Sequence, residues 1–154
     1  MKSNNKKNKE HPEKNKEFNP RLFKVENNHD ELDDAKQTLK MIKESGDKNR
    51  EAKQLFEIGR IYQARGSFSD ALENFEKANL IFEQVRNLEW KTSTLNSISR
   101  ILYQQKQYSE ALIRLEEAVK ILENLGLSGS PQGIDMRKAY EMIKVLVEQN
   151  ADVV

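Results

Sequence analysis

Apolar residues along positions 30–149 recur at the three-and-four spacing of amphipathic helices, and the pattern returns when the chain is shifted by 40 residues. Leu32, Leu72 and Leu112 coincide, as do Met41, Ile81 and Ile121, then Ile42, Phe82 and Leu122. Small or β-branched Thr38, Ala78 and Ala118 coincide as well. A second set aligns Leu55 with Leu95, Ile58 with Ile98, Gly59 with Ser99, Ala71 with Ala111 and Phe75 with Leu115. The register holds without gaps, which chance does not supply.

Each period predicts two helices. Leu55, Ile58, Gly59, Ile61 and Tyr62 mark the buried stripe of the first, which should stop near Arg65-Gly66, where glycine takes a left-handed conformation at low cost. Ser67 or Ser69 should cap the second helix through its hydroxyl. That helix places Ala71, Leu72, Phe75, Ala78, Ile81, Phe82 and Val85 on one side, with Glu73, Asn74, Glu76, Lys77 and Glu83 in water. The next copy repeats this, with Gln104–Gln107 as the turn and Ser109 as the cap. Turns of a few residues force antiparallel packing. Small residues at Gly59, Ser99, Ala71 and Ala111 mark close helix approach, and a bulky replacement at Ala71 or Ala111 should cost ~1–3 kcal/mol. Trp90, near a first-helix start, is expected to pack between repeats.

The stretch Leu55-x2-Ile58-Gly59-x2-Tyr62, followed by Gly66, Phe68, Ala71, Phe75 and Ala78, resembles the tetratricopeptide repeat signature W-x2-L-G-x2-Y…A-x3-F…A, with Leu55 in place of Trp. A looser copy runs through Leu95, Ile98, Ser99, Leu102, Tyr108, Ala111, Leu115 and Ala118. The usual period is about 34 residues, so each unit here carries extra residues in its helices or inter-repeat turn. The resemblance implies an all-α fold, a short right-handed solenoid of about six helices in residues 29–150. Full repeats are expected at 52–85 and 92–125, with partial units at 30–45 and 131–149. In the last of these Met136, Ala139, Tyr140, Met142, Ile143 and Leu146 are the expected packing points.

Composition adds a boundary. Residues 1–28 hold eight basic and four acidic side chains, a net +4, which leaves −3 for the remainder of a chain whose total is +1. With seven Asn, two Pro and few apolar residues, this segment is expected to be a disordered tail. It serves either as an electrostatic arm or as a solubilising leader. The near-neutral total argues against nucleic acid as the partner. The absence of cysteine excludes disulfides, thiolate zinc sites and cysteine nucleophiles. No apolar run reaches the ~20 residues of a membrane span, and the start lacks the apolar core of a secretory signal, so a cytoplasmic protein is expected.

Catalytic chemistry is not legible. His11 and His29 have no second ligand at metal spacing, no nucleophile elbow is present, and Gly129-Ser130-Pro131-Gln132-Gly133 lacks the strand and Lys-Ser/Thr of a phosphate loop. It reads as a flexible break between helices. No cofactor, metal or small-molecule substrate is expected, and the protein is expected not to be an enzyme.

The resemblance implies that first helices line a concave side. Groove-facing candidates are Lys53, Phe56, Glu57, Arg60, Gln63 and Ala64, then Ser93, Asn96, Ser97, Arg100, Tyr103 and Gln104, with Arg137 and Lys144 extending the row. Arg60 and Arg100, one period apart, should form a ladder for an acidic or C-terminal peptide. Some family members clamp a terminal carboxylate with Lys, Asn and Arg; Lys53, Asn96 and Arg100 resemble part of such a clamp, opposed by Glu57. The expected function is a non-enzymatic protein-interaction module, an adaptor, scaffold or co-chaperone-like protein. The alternatives are a self-associating repeat protein and a bacterial regulatory or secretion-chaperone protein.

Overall fold

The computed structural model describes residues 30–151; the expected tail at 1–28, with His11 and His29, lies outside them. The described residues form α1 (Glu31–Ser45), α2 (Lys48–Ala64), α3 (Phe68–Gln84), α4 (Leu88–Gln104), α5 (Tyr108–Asn124) and α6 (Pro131–Ala151). From α2 to α5 every helix has 17 residues. The turns between them are Arg65–Ser67, Val85–Asn87 and Gln105–Gln107. Turns this short leave no room for the extra residues of the 40-residue period, so the added length lies in the helices. Each helix packs antiparallel on the next, and α2 and α4 also touch each other, which places them on one side of a short solenoid.

One turn geometry sets the stride. Residues 46, 66, 86, 106 and 126 all take the left-handed conformation, as Gly46, Gly66, Arg86, Lys106 and Gly126. After α2 the Ser67 amide reaches back to the Tyr62 carbonyl at 2.9 Å and the Gly66 amide to Gln63 at 3.0 Å. The pair Asn87 to Phe82 and Arg86 to Glu83 repeats this after α3, as do Gln107 to Leu102 and Lys106 to Tyr103 after α4. These bonds satisfy carbonyls that the helix end would otherwise leave open. Arg86 and Lys106 adopt the conformation without glycine's freedom, so the geometry is imposed by the packing on either side.

The expected serine caps do not form. Ser67 stands at the N-cap of α3 but makes no side-chain cap bond, Gln107 rather than Ser109 precedes α5, and Ser109 lies inside the helix. The first intrahelical backbone bonds there run from the Ala71 amide to Ser67 and from the Ala111 amide to Gln107, both at 3.0 Å. The Gly129–Gly133 segment is also no loose break. Pro131 opens α6, and the Gly133 amide donates to Ser130 Oγ at 3.0 Å. A Cβ on Gly133 would come within 2.4 Å of the Leu127 carbonyl oxygen.

The core runs as one cluster through α2–α6, with Ala71, Phe75, Ala78, Phe82, Leu95, Ile98 and Ile101 wholly enclosed. Each large apolar side chain so buried contributes about 1.5–3 kcal/mol. Met136 and Ile143 seat α6 on this cluster, whereas Met142, expected to pack, is half exposed. Val85, expected on the apolar side of α3, is likewise exposed beyond the helix end. At the other end of the array, Arg65 forks onto the Asp30 carboxylate that also caps α1. The guanidinium holds the Asp30 carboxyl below its usual range.

Candidate functional site

α2 and α4 begin four residues earlier than their periodicity suggested, because a side chain caps each one. Asp47 Oδ1 accepts from the Arg50 amide at 3.0 Å, and Asn87 Oδ1 from the Trp90 amide at 3.3 Å. The Asn87 amide group also donates to Asn49 Oδ1 at 2.8 Å, which ties the start of α4 to that of α2. The earlier start brings Glu89 and Trp90 onto the inner face. The Trp90 ring meets Phe56 edge-on at 5.3 Å and stacks on Phe82 at 5.8 Å, while Phe56 packs on Phe75 at 5.2 Å. Trp90 therefore joins two repeats, as expected of it.

Between α2 and α4 lies a cavity of about 370 Å³. Phe56 and Trp90 form its apolar part; Glu57, Arg60 and Gln63 border it from α2, and Glu89, Ser93, Ser97 and Arg100 from α4. Arg60 and Arg100 thus border one space. Phe56 is only 8% exposed, so it supplies a wall and not a free side chain. Lys53 lies beside the cavity with Nζ 5.3 Å from the centre of the Trp90 ring, a cation–π position.

Other expected members sit elsewhere. Tyr103 packs on Tyr108 at 5.5 Å, and Asn96 is half-buried; neither borders the cavity. The exposed Ala64, Gln104 and Lys144 do not border it either. Arg137 is drawn to Glu123 of α5 at 2.5 Å, so the row of arginines does not continue onto α6 as a free cation. Of the expected Lys53, Asn96 and Arg100 clamp, Arg100 alone borders the cavity. Glu89 was missed because the helix was expected to start at 92, although it shares the 89, 93, 97, 100 stripe.

Two carboxylates and two guanidiniums border the cavity, and they are not equivalent. Arg60 Nη1 is held by Glu57 at 3.3 Å, while Arg100 is exposed with no polar partner among the described residues. The Ser97 hydroxyl donates to the Ser93 carbonyl at 3.1 Å and the Ser93 hydroxyl to Glu89 at 3.2 Å. Ser93 Oγ already accepts from Gln132 Nε2 of α6 at 3.4 Å, whereas the Ser97 oxygen remains able to accept. The site therefore offers one free guanidinium and a hydroxyl acceptor beside an aromatic wall. Among the described residues no three His, Cys, Asp or Glu side chains are grouped to hold a metal. A larger cavity, about 920 Å³, lies between the turns that precede α4 and α6, bordered by Val85, Leu88, Leu125 and Leu127; neither Arg60 nor Arg100 lines it, and Glu89 borders both cavities.

A family model described as "Tetratricopeptide repeat" matches residues 50–124, which span α2 to α5. No curated protein matches the chain.

Proposed function

Because residues 50–124 belong to the tetratricopeptide repeat family, whose arrays generally mediate protein–protein interaction, we infer that this chain is a non-enzymatic interaction module that seats a partner segment between α2 and α4. It acts as an adaptor, scaffold or co-chaperone-like protein and not as a catalyst. The observation that carries this reading is Arg100, an exposed guanidinium without a polar partner among the described residues, beside a cavity walled by Trp90 and Phe56. A free guanidinium next to an aromatic wall suits an extended segment carrying a carboxylate and one apolar side chain. With Glu57 and Glu89 at the same cavity, a strongly acidic segment would meet repulsion, so one well-placed carboxylate is favoured over many. Among the described residues no helix is long and apolar enough to cross a membrane.

The test is titration of labelled peptides with single or multiple acidic residues, against the natural protein and Arg60→Ala/Arg100→Ala. Arg100→Ala alone should account for most of a fivefold to tenfold loss, in line with one charge-assisted contact. Unchanged affinity in the double variant overturns the reading.

A further inference from the structure

The two grooves on the outer side of the array have opposite charge patterns. The groove between α3 and α5, floored by α4, is strapped shut. Lys91 rises from α4 nearly buried and bonds Glu83 of α3 at 3.1 Å and Glu117 of α5 at 2.7 Å. Beside it Arg114 of α5 reaches Glu76 of α3 at 2.7 Å. Only about 280 Å³ remains open along that pair.

Forty residues earlier every one of these positions changes character. Lys91 becomes Glu51, Glu83 becomes Lys43, Glu117 becomes Lys77, Arg114 becomes Asn74 and Glu76 becomes Lys36. No strap forms across this first groove, between α1 and α3. Glu51 turns to Lys48 at 2.7 Å, Lys77 to Glu73 at 2.5 Å, and Asn74 to the Asp70 carbonyl of its own helix at 2.9 Å. Lys36 lies 5.5 Å from the centre of the Tyr62 ring. About 460 Å³ stays open over a floor and walls of Leu39, Leu55, Ile58 and Ile81.

Along the α1 side run Lys36, Lys40 and Lys43, all exposed and about one helical turn apart. Lys40 and Lys43 have no polar partner among the described residues. Glu44 borders the adjoining cavity beside them, and Glu51 is already neutralised by Lys48.

We propose that this outer groove between α1 and α3 is a second docking site, and that its occupant is an acidic amphipathic helix of a partner protein. Charge complementarity commits the site to an acidic ligand. The turn-by-turn spacing of the lysines matches carboxylates at i, i+4 and i+7 of an opposing helix, while its apolar stripe fills the aliphatic floor. The inner cavity, with its balanced charge, does not share this preference, and the two sites are separable by mutation.

The experiment is fluorescence anisotropy of the full 154-residue chain with a labelled synthetic helix bearing Leu on one stripe and Glu at its flanks. Binding should weaken about tenfold in Lys40→Glu/Lys43→Glu, as two attractions become repulsions. It should also be lost in Lys36→Glu/Asn74→Arg, which copies the Arg114–Glu76 strap into the first groove and leaves Lys40 and Lys43 in place. Arg60→Ala/Arg100→Ala should bind the helix as the natural protein does, so failure of the inner-cavity reading would be seen separately. Three results overturn the proposal: no binding to the natural protein, equal binding of a proline-interrupted peptide of the same composition, or equal binding to the strapped variant with its helical content intact.

Discussion

Gly59 of α2 lies directly under the ring of Phe75 of α3: a Cβ added there would stand 2.8 Å from Phe75 Cδ1 and Cε1. One period later the pair is Ser99 and Leu115, and the Ser99 hydroxyl donates to the Ala111 carbonyl at 2.9 Å. Bulk has been exchanged across the same contact, ring against no side chain in one unit, smaller aliphatic against serine in the other.

Gly59→Ser should therefore destabilise the protein by about 1–3 kcal/mol through overpacking, despite serine's better helix propensity. Adding Phe75→Leu should recover much of that loss, since it recreates the second unit's pair. Urea unfolding of both single variants and the double variant measures the coupling; purely additive effects would show that the two positions do not share the contact.

Asn79 is 6% exposed, and its Oδ1 has no hydrogen-bond partner among the described residues. The equivalent positions in α1 and α5 are Leu39 and Val119. Asn79→Val should raise stability by about 1 kcal/mol, because an unmet buried acceptor is replaced by the apolar side chain its neighbours already use. A drop in stability would show that the oxygen has a partner.

Lys91 ties stability to alkaline pH. Burial alone would depress its ammonium, but hydrogen bonds to Glu117 and Glu83 outweigh that and hold it above the ordinary lysine value of 10.5. A raised value means that the folded state keeps the proton longer. Its contribution is thus complete below pH 10.5 and is lost as pH rises through the folded value. Lys91→Met should cost about 1–2 kcal/mol at pH 7, and the difference from the natural protein should shrink in strongly alkaline solution. A pH-independent difference refutes this role for the ion pairs.

Arg86 and Lys106 take φ values of 56° and 61°, where Gly46, Gly66 and Gly126 occupy the same place in other turns. Arg86→Gly and Lys106→Gly should each stabilise the fold by about 1 kcal/mol, since a left-handed non-glycine residue costs about 1–2 kcal/mol, part of which glycine's entropy returns. Thermal unfolding of each variant checks this, and a lowered midpoint contradicts it.

The period, the number of helices and the identity of most enclosed residues were legible in the chain itself. Every 40-residue stride must bury the same stripe, so Phe75 and Leu115, or Ile58 and Ile98, carry that burial in their spacing. Helix starts were less legible, because Asp47 and Asn87 add a turn of polar residues that no apolar stripe marks. The fate of long charged side chains was not legible at all. Arg60 and Arg137 stand on similar faces of their helices, yet one borders a cavity and the other is taken by Glu123; Glu51 and Lys91 share a position, yet only Lys91 straps its groove. Burial is a repeated one-dimensional constraint that sequence spacing records, whereas ion pairing between helices depends on which flexible side-chain ends meet at separations of 8 to 38 residues in sequence, and only the packed array decides that.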